Sequence, residues 1–408
     1  MNYDDCITVV DARMGRGKSS AAIRYMNERK ELCKFLYITP YLDEVDRICE
    51  QCGFEQAVGD GLSKSAELKI YLSMGKNVAA THSLYYLMDD ETLEIVRQQG
   101  YTLIVDESLT VIQRMNASRK DTELILNSLT EEMDDGELVW GDPDYEGVFD
   151  GFKEMADRHS LYRFDSALLS IMSPQMFLSF NKIIMLTYLF DGQYQKAYMD
   201  YFGFKYNIVG VEQDESGFKF SDKPDNPPPM NYYRLIRMVD DSRMNRVGDA
   251  KFSLSKNWYS TRNYDHTDIR ALRNNLKRFY QSLSGSNSYT RLWTTFKDSR
   301  DKVIDKKTRR FNSNFLQLGA RATNEFRGCT DIAYLVNRFA DPNLMKFFYL
   351  KEIEISADEF ALSEMIQWIW RSAIRDGRPI NLYLPSKRMR ELLNNWLDKS
   401  NRGGNEND

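Results

Sequence analysis

The stretch that most constrains this chain lies at residues 8–22 and reads T-V-V-D-A-R-M-G-R-G-K-S-S-A-A. An apolar, β-branched run leads into a glycine-rich turn, and a helix-forming run follows. Gly15 and Gly17 let the backbone turn tightly, which brings its N–H groups close to an anion. The sequence therefore predicts a strand, a phosphate-binding loop and a helix in that order, at the start of an α/β domain.

The side chains of this loop match the chemistry of a bound nucleotide. Lys18 supplies a flexible positive charge for β- and γ-phosphates, and the Ser19 hydroxyl is a ligand for Mg²⁺. We therefore expect ATP and Mg²⁺ as cofactors. The residues predicted to contact the nucleotide are Gly15, Arg16, Gly17, Lys18, Ser19 and Ser20.

A second signal is a pair of acids at the end of a predicted strand. Residues 101–105 are mainly apolar, and Asp106 and Glu107 follow them directly. Asp106 is expected to hold Mg²⁺ beside Ser19, and Glu107 is expected to orient and deprotonate the attacking water. The two roles need different carboxylates because the metal engages one of them. The loop and the acid pair together are a much stronger indication than either alone.

Composition excludes few functions. The chain has 408 residues, enough for two or three domains, and a net charge of −5, so no overall basic field indicates nucleic acid. A local basic groove is still compatible with this charge. Five scattered cysteines fit free thiols in a reducing cytoplasm. The sequence predicts a cytoplasmic location and no membrane partner, since no apolar run approaches the roughly 20 residues of a span.

Two further predicted strands, at residues 35–38 and 77–80, end in polar residues. The carboxyl ends of parallel strands are where α/β proteins keep their binding sites. The candidate binding residues at this edge of the sheet are Thr39, Pro40, Thr81 and His82.

Near the carboxyl end of the chain, residues 363–375 are predicted to form one helix. Gln367, Arg371 and Arg375 fall four residues apart on it and would share one face.

The order of these features resembles superfamily 2 helicases, and more closely the DEAD/DEAH-type helicase-like proteins of bacteriophages and prophages. The loop variant A-x-x-G-x-G-K-S, the Thr-Pro strand end, the acid pair, A-R-A-T-N-E-F and the glutamine–arginine helix carry the resemblance over about residues 7–397. The helix departs from the family pattern Q-x-x-G-R-x-x-R, because Trp370 replaces glycine and Arg375 lies one residue late.

The resemblance implies roles for these residues. It makes Glu107, Gln367, Arg371 and Arg375 catalytic, with the arginines acting on the phosphates when two domains close on ATP. It implies that single-stranded nucleic acid, with DNA favoured over RNA, is the partner, together with other replication proteins. The implied nucleic-acid contacts are Thr39, Pro40, Thr81, His82, Thr323 and Asn324.

The expected fold class is α/β, with two tandem RecA-like P-loop NTPase domains whose parallel sheets are flanked by helices. The first domain is predicted at residues 1–215, with an acidic insertion at about 109–175. Residues 216–230 contain three consecutive prolines and are predicted to be a linker. The second domain is predicted at 231–398, and residues 399–408 are predicted to be a disordered tail.

The function expected is that of an ATP-dependent helicase or translocase acting on phage DNA in replication or recombination. Two alternatives remain open. One is a terminase-type packaging ATPase, which would carry a nuclease with clustered carboxylates after Arg375. The other is a nucleotide-dependent clamp that closes on nucleic acid without unwinding it.

Overall fold

A computed structural model of the chain describes residues 7–225, 232–284, 286–304, 314–319 and 324–402. These residues form two compact units. The first unit ends at Asp225 and also contains Ala340–Ser356, and the second contains the remaining described residues.

The elements of both units follow the chain in order. The strands are β1 (Ile7–Asp11), β2 (Phe35–Thr39), β3 (Val78–Thr81), β4 (Thr102–Asp106), β5 (Ile112–Arg114), β6 (Thr130–Glu132), β7 (Leu138–Trp140), β8 (Leu161–Phe164), β9 (Ala167–Ile171), β10 (Lys182–Thr187), β11 (Tyr206–Asp214), β12 (Gly217–Ser221), β13 (Ile236–Met238), β14 (Arg291–Thr294), β15 (Asp331–Tyr334) and β16 (Ile380–Tyr383). The helices are α1 (Lys18–Asn27), α2 (Leu42–Cys52), α3 (Lys64–Ser73), α4 (His82–Tyr85), α5 (Asp90–Gln99), α6 (Arg119–Leu124), α7 (Asp150–Asp157), α8 (Gln175–Leu178), α9 (Tyr194–Tyr201), α10 (Tyr232–Leu235), α11 (Ser242–Asn245), α12 (Lys256–Ser260), α13 (Thr267–Arg278), α14 (Arg300–Val303), α15 (Pro342–Tyr349), α16 (Ala357–Ile369) and α17 (Lys387–Arg402). Short 3-10 or π turns lie at Ile125–Leu129, Phe190–Gly192, Arg246–Gly248, Phe279–Leu283, Lys297–Ser299, Asn324–Phe326 and Ala373–Asp376.

The first unit is built on a seven-stranded sheet with the order β12-β11-β1-β10-β4-β2-β3. All pairs are parallel except β11 with β12. Asp11 pairs with Thr187, and Leu186 pairs with Asp106. The carboxyl ends of β1, β10 and β4 therefore lie side by side at one edge of the sheet.

The central strands are buried on both faces. In β2, Leu36 and Ile38 belong to the cluster packed on α3 and α5, whereas Phe35 and Tyr37 belong to the cluster packed on α1 and α2. Successive side chains of a strand point to opposite faces, so a continuous apolar run suits a parallel sheet covered by helices on both sides.

Residues 109–175, the predicted insertion, form small antiparallel sheets with the orders β5-β9-β8 and β6-β7. They have an apolar core of their own that includes Ile125, Trp140 and Leu161. Much of the insertion is therefore ordered structure that packs around its own apolar core.

The second unit contains a four-stranded sheet with the order β13-β16-β15-β14, and all of its described pairs are parallel. Its core includes Trp293 on β14, Ala333 on β15 and Tyr383 on β16, packed against Leu272 and Leu276 of α13. The sequence predicted parallel sheets in both parts of the chain, and this prediction is confirmed.

The predicted domain limits need correction. The first unit does not end at residue 215, because β12 pairs with β11 and the unit continues to Asp225. It also takes in Ala340–Ser356, since Phe347 of α15 packs edge-on against Phe164. Residues 399–402, which were expected in a disordered tail, are the last residues of α17, and residues 403–408 lie outside the described chain.

Membrane-spanning helices are absent from the part of the chain that the structure describes. The longest helix, α17, has 16 residues and reads K-R-M-R-E-L-L-N-N-W-L-D-K-S-N-R. A spanning helix needs roughly 20 predominantly apolar residues.

Candidate nucleotide site

The loop between β1 and α1 turns through two glycines with left-handed backbone, at φ 78° for Gly15 and φ 81° for Gly17. Side chains other than glycine rarely adopt this conformation. Gly17 has a second constraint, because a Cβ atom there would lie 2.3 Å from the Phe218 ring. Gly17 caps the amino end of α1, whose first N–H groups have no partner within the helix and favour an anion. The strand, loop and helix predicted for residues 8–22 are confirmed.

The ammonium group of Lys18 lies over the loop itself. Its Nζ donates to the carbonyl oxygen of Ala12 at 2.5 Å and to that of Arg13 at 3.2 Å. Burial lowers the pKa of Lys18, and the negative charges of Glu107 and Asp106 act in the opposite direction. The lysine and both acids of the β4 end are therefore close enough to interact electrostatically.

Asp106 is a buried carboxylate, with 7% of its surface exposed. Burial raises its pKa to about 7, and the nearby charges of Glu44 and Glu107 act in the same direction. A hydrogen bond from the Tyr37 hydroxyl to Asp106 Oδ2, at 2.8 Å, lowers the pKa in part. The Asp106 carboxyl therefore changes its charge near neutral pH, and binding of a cation beside it would favour the charged form.

Tyr37 connects Asp106 to an ion pair on α2. Its hydroxyl lies 3.4 Å from Glu44 Oε1, and Arg47 Nε donates to Glu44 Oε2 at 2.9 Å. Tyr37 is fully buried on β2, the strand next to β4. This chain of contacts fixes the orientation of one oxygen of Asp106.

Glu107 has a backbone conformation that is rare for a residue with a side chain, at φ 67°. Its N–H donates to the carbonyl oxygen of Leu186 at 3.1 Å, which extends the pairing of β4 with β10 by one residue. The left-handed turn then redirects the chain immediately after the acid pair. Such conformations are found at functional sites, where the surrounding structure holds them in place.

A polar network lies at the end of β10. Thr187 and Gln193 are buried and hydrogen-bonded to each other, with Gln193 Nε2 donating to Thr187 Oγ1 at 2.8 Å. The Ser108 hydroxyl, directly after the acid pair, donates to Gln193 Oε1 at 2.6 Å. The network therefore links the residue after Glu107 to the neighbouring strand end.

The side-chain oxygen atoms near the loop are suitable ligands for a hard cation. Mg²⁺ prefers oxygen ligands and is usually held by one or two protein groups together with phosphate oxygens. The half-buried hydroxyl of Ser19 and the carboxylate of Asp106 are oxygen donors of this kind. The residues present therefore fit Mg²⁺. Clusters of three or more side chains able to hold a metal by themselves do not occur in the described part of the chain.

The residues predicted to contact nucleic acid have different environments. Thr39 and His82 are buried, at 0% and 3% exposure, so their side chains offer almost no surface to a nucleic-acid strand. Thr39 ends β2, all of whose residues are buried, and His82 begins α4, in which Leu84 and Tyr85 are also buried. Pro40 and Thr81 are half-buried, and the Thr81 side chain accepts a hydrogen bond from the Leu84 N–H at 3.3 Å.

Two further predicted contacts cannot be placed fully. Thr323 lies outside the described residues. Asn324 begins a short 3-10 turn, and only its backbone is described.

The predicted helix at residues 363–375 is interrupted. Helix α16 ends at Ile369, so Gln367, Arg371 and Arg375 do not share a helix face. The helix stops because Ser372 has extended backbone and its buried hydroxyl donates to the Ile369 carbonyl oxygen at 2.7 Å. Gln367 donates to Ser363 Oγ at 3.0 Å, Arg371 is half-buried after the helix end, and Arg375 is exposed in a 3-10 turn.

Sequence reasoning missed several residues around the loop. The sequence pattern indicates Tyr37 only as part of a predicted strand, although a tyrosine on the strand beside the acid pair is a usable signal. The roles of Glu44, Gln193 and Asp225 depend on contacts between distant parts of the chain, so no local pattern indicated them. Asp225 Oδ2 accepts a hydrogen bond from the Arg13 N–H at 3.2 Å.

The fold and the site together define a mixed α/β protein with parallel sheets, in which a glycine-rich loop and an acidic strand end lie at the same edge of one sheet. Residues 230–397 match the model of the YonV C-terminal Rossmann-like domain, so the second unit is Rossmann-like.

The chain belongs to the family of the SPbeta prophage-derived protein YonV from Bacillus subtilis (strain 168). The two sequences are 35% identical over 410 residues, which cover 96% of this chain and 98% of the relative. The names of the matching family model and of the relative state no activity, so the relationship to superfamily 2 helicases stays a prediction.

Comparison with solved structures gives a weaker similarity. A structure of S. tokodaii Xpd4 has a TM-score of 0.49 and 12% sequence identity, over 96% of this chain and 94% of that chain. A TM-score below 0.5 does not establish a common fold.

Proposed function

We propose that the first unit binds and hydrolyses ATP at the phosphate loop, and that the chain uses this hydrolysis to act on single-stranded nucleic acid as a helicase or translocase. The observation that carries the proposal is that Lys18, after β1, and the acids Asp106 and Glu107, at the end of β4, lie at the same carboxyl edge of the parallel sheet. The charges of both acids raise the pKa of the ammonium against the effect of burial. A flexible cation beside two acids, at the carboxyl edge of a parallel sheet, suits phosphoryl transfer.

Each residue has one role in this proposal. Lys18 leaves the carbonyl oxygens of Ala12 and Arg13 and binds the β- and γ-phosphates. Glu107 orients the attacking water and accepts its proton, and Asp106 and Ser19 hold the metal. Mg²⁺, when bound, neutralises charge on the phosphate oxygens.

The second unit is proposed to contribute an arginine. Arg371 is the best candidate of the predicted set, because it is half-buried after the end of α16, whereas Arg375 is exposed. A guanidinium stabilises the negative charge that builds on the transferred phosphoryl group. Gln367 and Arg375 remain secondary candidates for the same step.

Nucleic acid is proposed as the partner, mainly through its phosphate backbone, so binding should weaken steeply with salt. The relative's name describes it as prophage-derived, which favours phage DNA over RNA as the substrate. Pro40 and Thr81 retain partly exposed surface at the sheet edge and remain proposed contacts, as do Thr323 and Asn324.

Two assays test this function. ATP hydrolysis is measured with and without single-stranded DNA and RNA, and strand displacement is measured on a partial duplex. Stimulated hydrolysis with displacement supports a helicase. Stimulated hydrolysis without displacement supports translocation or clamping, and the absence of hydrolysis under all conditions contradicts the proposal.

A further inference from the structure

The stretch of the first unit that ends at Asp225 lies on the proposed phosphate loop. Asp225 Oδ2 accepts a hydrogen bond from the Arg13 N–H at 3.2 Å, and Arg16 Nε lies 3.5 Å from Asp225 Oδ1. The Asp225 side chain is only 5% exposed. Its negative charge also acts on Lys18, which places the carboxylate in the electrostatic environment of the loop.

The segment at residues 222–225, here called the strap, is held in this position by close packing. A Cβ atom at Gly210 of β11 would lie 2.5 Å from the Asp225 nitrogen and 2.6 Å from the Lys223 oxygen, so the strap crosses β11 where only glycine leaves room. The hairpin that leads into the strap is tied to α1, because Arg24 Nη1 donates to Asp214 Oδ1 at 2.8 Å.

The groups that contact the Asp225 carboxylate, a backbone N–H and a guanidinium, are of the kind that binds phosphate. Backbone N–H groups of a glycine-rich loop and a nearby guanidinium bind anions, and a carboxylate oxygen is an acceptor of the same kind as a phosphate oxygen. Lys18 meanwhile donates to two carbonyl oxygens of the loop rather than outwards. The loop is therefore already engaged by a negative charge from its own unit.

We propose that Asp225 is an internal competitor for the phosphate loop, and that a nucleotide binds by displacing the strap. This inference rests on the proposed nucleotide site and adds its regulation. If the strap occupies the loop most of the time, the apparent affinity for nucleotide falls by the fraction of molecules in which the loop is free.

The direct test compares Asp225→Asn with Asp222→Asn. Asp222 is an exposed carboxylate of the same strap, so its replacement removes the same charge three residues away. Dissociation constants for inorganic pyrophosphate and for ADP are measured by calorimetry on the full chain, with melting curves as the folding control. Asp225→Asn should bind both ligands about tenfold more tightly, the effect of losing one charge-assisted contact. Asp222→Asn should bind them like the wild-type protein.

The outcomes separate the inference from the proposed function. Wild-type affinity in Asp225→Asn overturns the competition but leaves the nucleotide site standing. Weaker binding in Asp225→Asn would mean that Asp225 helps to bind the ligand, and this result would also overturn the competition. If no variant binds pyrophosphate or ADP, the nucleotide site fails and the competition fails with it.

A measurement on the wild-type protein tests the inference without depending on the folding of a variant. Hydrogen exchange is followed with and without ADP. The backbone of residues 222–225 should exchange faster with ADP present, because the strap leaves the loop, while β1 should keep its protection. Slower exchange in the strap would mean that it closes over the ligand, which overturns the inference.

Discussion

The hydroxyl of Tyr37 donates a hydrogen bond to Asp106 Oδ2 at 2.8 Å, and both residues are buried on neighbouring parallel strands. The bond leaves one carboxylate oxygen committed to the protein. The other oxygen, Oδ1, is the one that we propose as the metal ligand. Tyr37 is therefore a positioning residue for the proposed Mg²⁺ ligand.

Replacing Tyr37 by phenylalanine should raise the Mg²⁺ concentration needed for half-maximal nucleotide binding by roughly tenfold, because Asp106 loses its fixed orientation. The variant should also lose about 1–3 kcal/mol of stability, since a buried acceptor is left without its donor. Calorimetric titration with metal and ADP measures the first effect, and urea unfolding measures the second.

Tyr101→Phe is the matched control for this variant. Tyr101 is also buried in the first unit, and its hydroxyl donates to the carbonyl oxygens of Leu72 and Lys76. The control should lose stability without a change in the metal requirement. If both variants shift the metal requirement equally, Tyr37 has only a general structural role.

Asp106 should make the stability of the metal-free protein depend on pH. Burial raises its pKa from 3.8 to about 7, so between these values the folded state binds more protons than the unfolded state. Stability contributed by the protonated form is therefore lost as pH rises through this interval, by at most about 1.4 kcal/mol per pH unit, and no further loss occurs above the upper value.

Asp106→Asn removes this titration. Its stability relative to the wild-type protein should rise from pH 4 to about pH 7 and then level off. Unfolding by urea at a series of pH values, with a chelator present, measures the difference. A difference that is constant with pH would show that Asp106 does not titrate in this range.

The local features of the site could be predicted from sequence, and the long-range ones could not. Residues 8–22 and the Asp106–Glu107 pair were predicted because an apolar run, glycines and adjacent acids form a pattern within one short stretch. Asp225 meets Arg13 only because β11 and β12 carry the chain back to the loop, which the sequence pattern does not specify.

The end of α16 could not be predicted from the sequence for a different reason. A four-residue spacing places Gln367 and Arg371 on one helix face only if the helix continues, and the sequence has no proline or glycine there to indicate a stop. The helix ends because Ser372 bonds back to Ile369 and the Ala373 N–H bonds to the carbonyl oxygen of Cys329 at 2.9 Å. A tertiary contact therefore overrides the local helical pattern.

Glu107→Gln should separate binding from hydrolysis. Lys18 and Asp106 remain, so the dissociation constant for Mg²⁺-ATP should stay within several-fold of the wild-type value. Turnover should fall by about 10²-fold or more, because the amide cannot accept a proton from water. Glu94→Gln, an exposed residue of α5, is the control and should keep full activity. Loss of ATP binding in Glu107→Gln would contradict the separate roles of the two acids.

Arg371→Ala should lower hydrolysis stimulated by single-stranded DNA by roughly 10³-fold while ATP affinity and melting temperature stay near the wild-type values. Arg371→Lys should restore little, because an ammonium lacks the planar fork of a guanidinium. Arg378→Ala removes an exposed arginine from the same region and serves as the control. A large fall in melting temperature of Arg371→Ala would assign Arg371 a structural role instead.

ATP hydrolysis by Lys18→Ala, measured beside the wild-type protein and Lys196→Ala, tests the proposed nucleotide site most directly. Lys196 pairs with Asp200 on α9, so its replacement removes a lysine of the same unit outside the loop. The wild-type protein and Lys196→Ala should hydrolyse ATP at similar rates. Lys18→Ala should keep its melting temperature and lose at least about 100-fold in rate. A folded Lys18→Ala protein that hydrolyses ATP at the wild-type rate would contradict the assignment of residues 8–22 as the phosphate site.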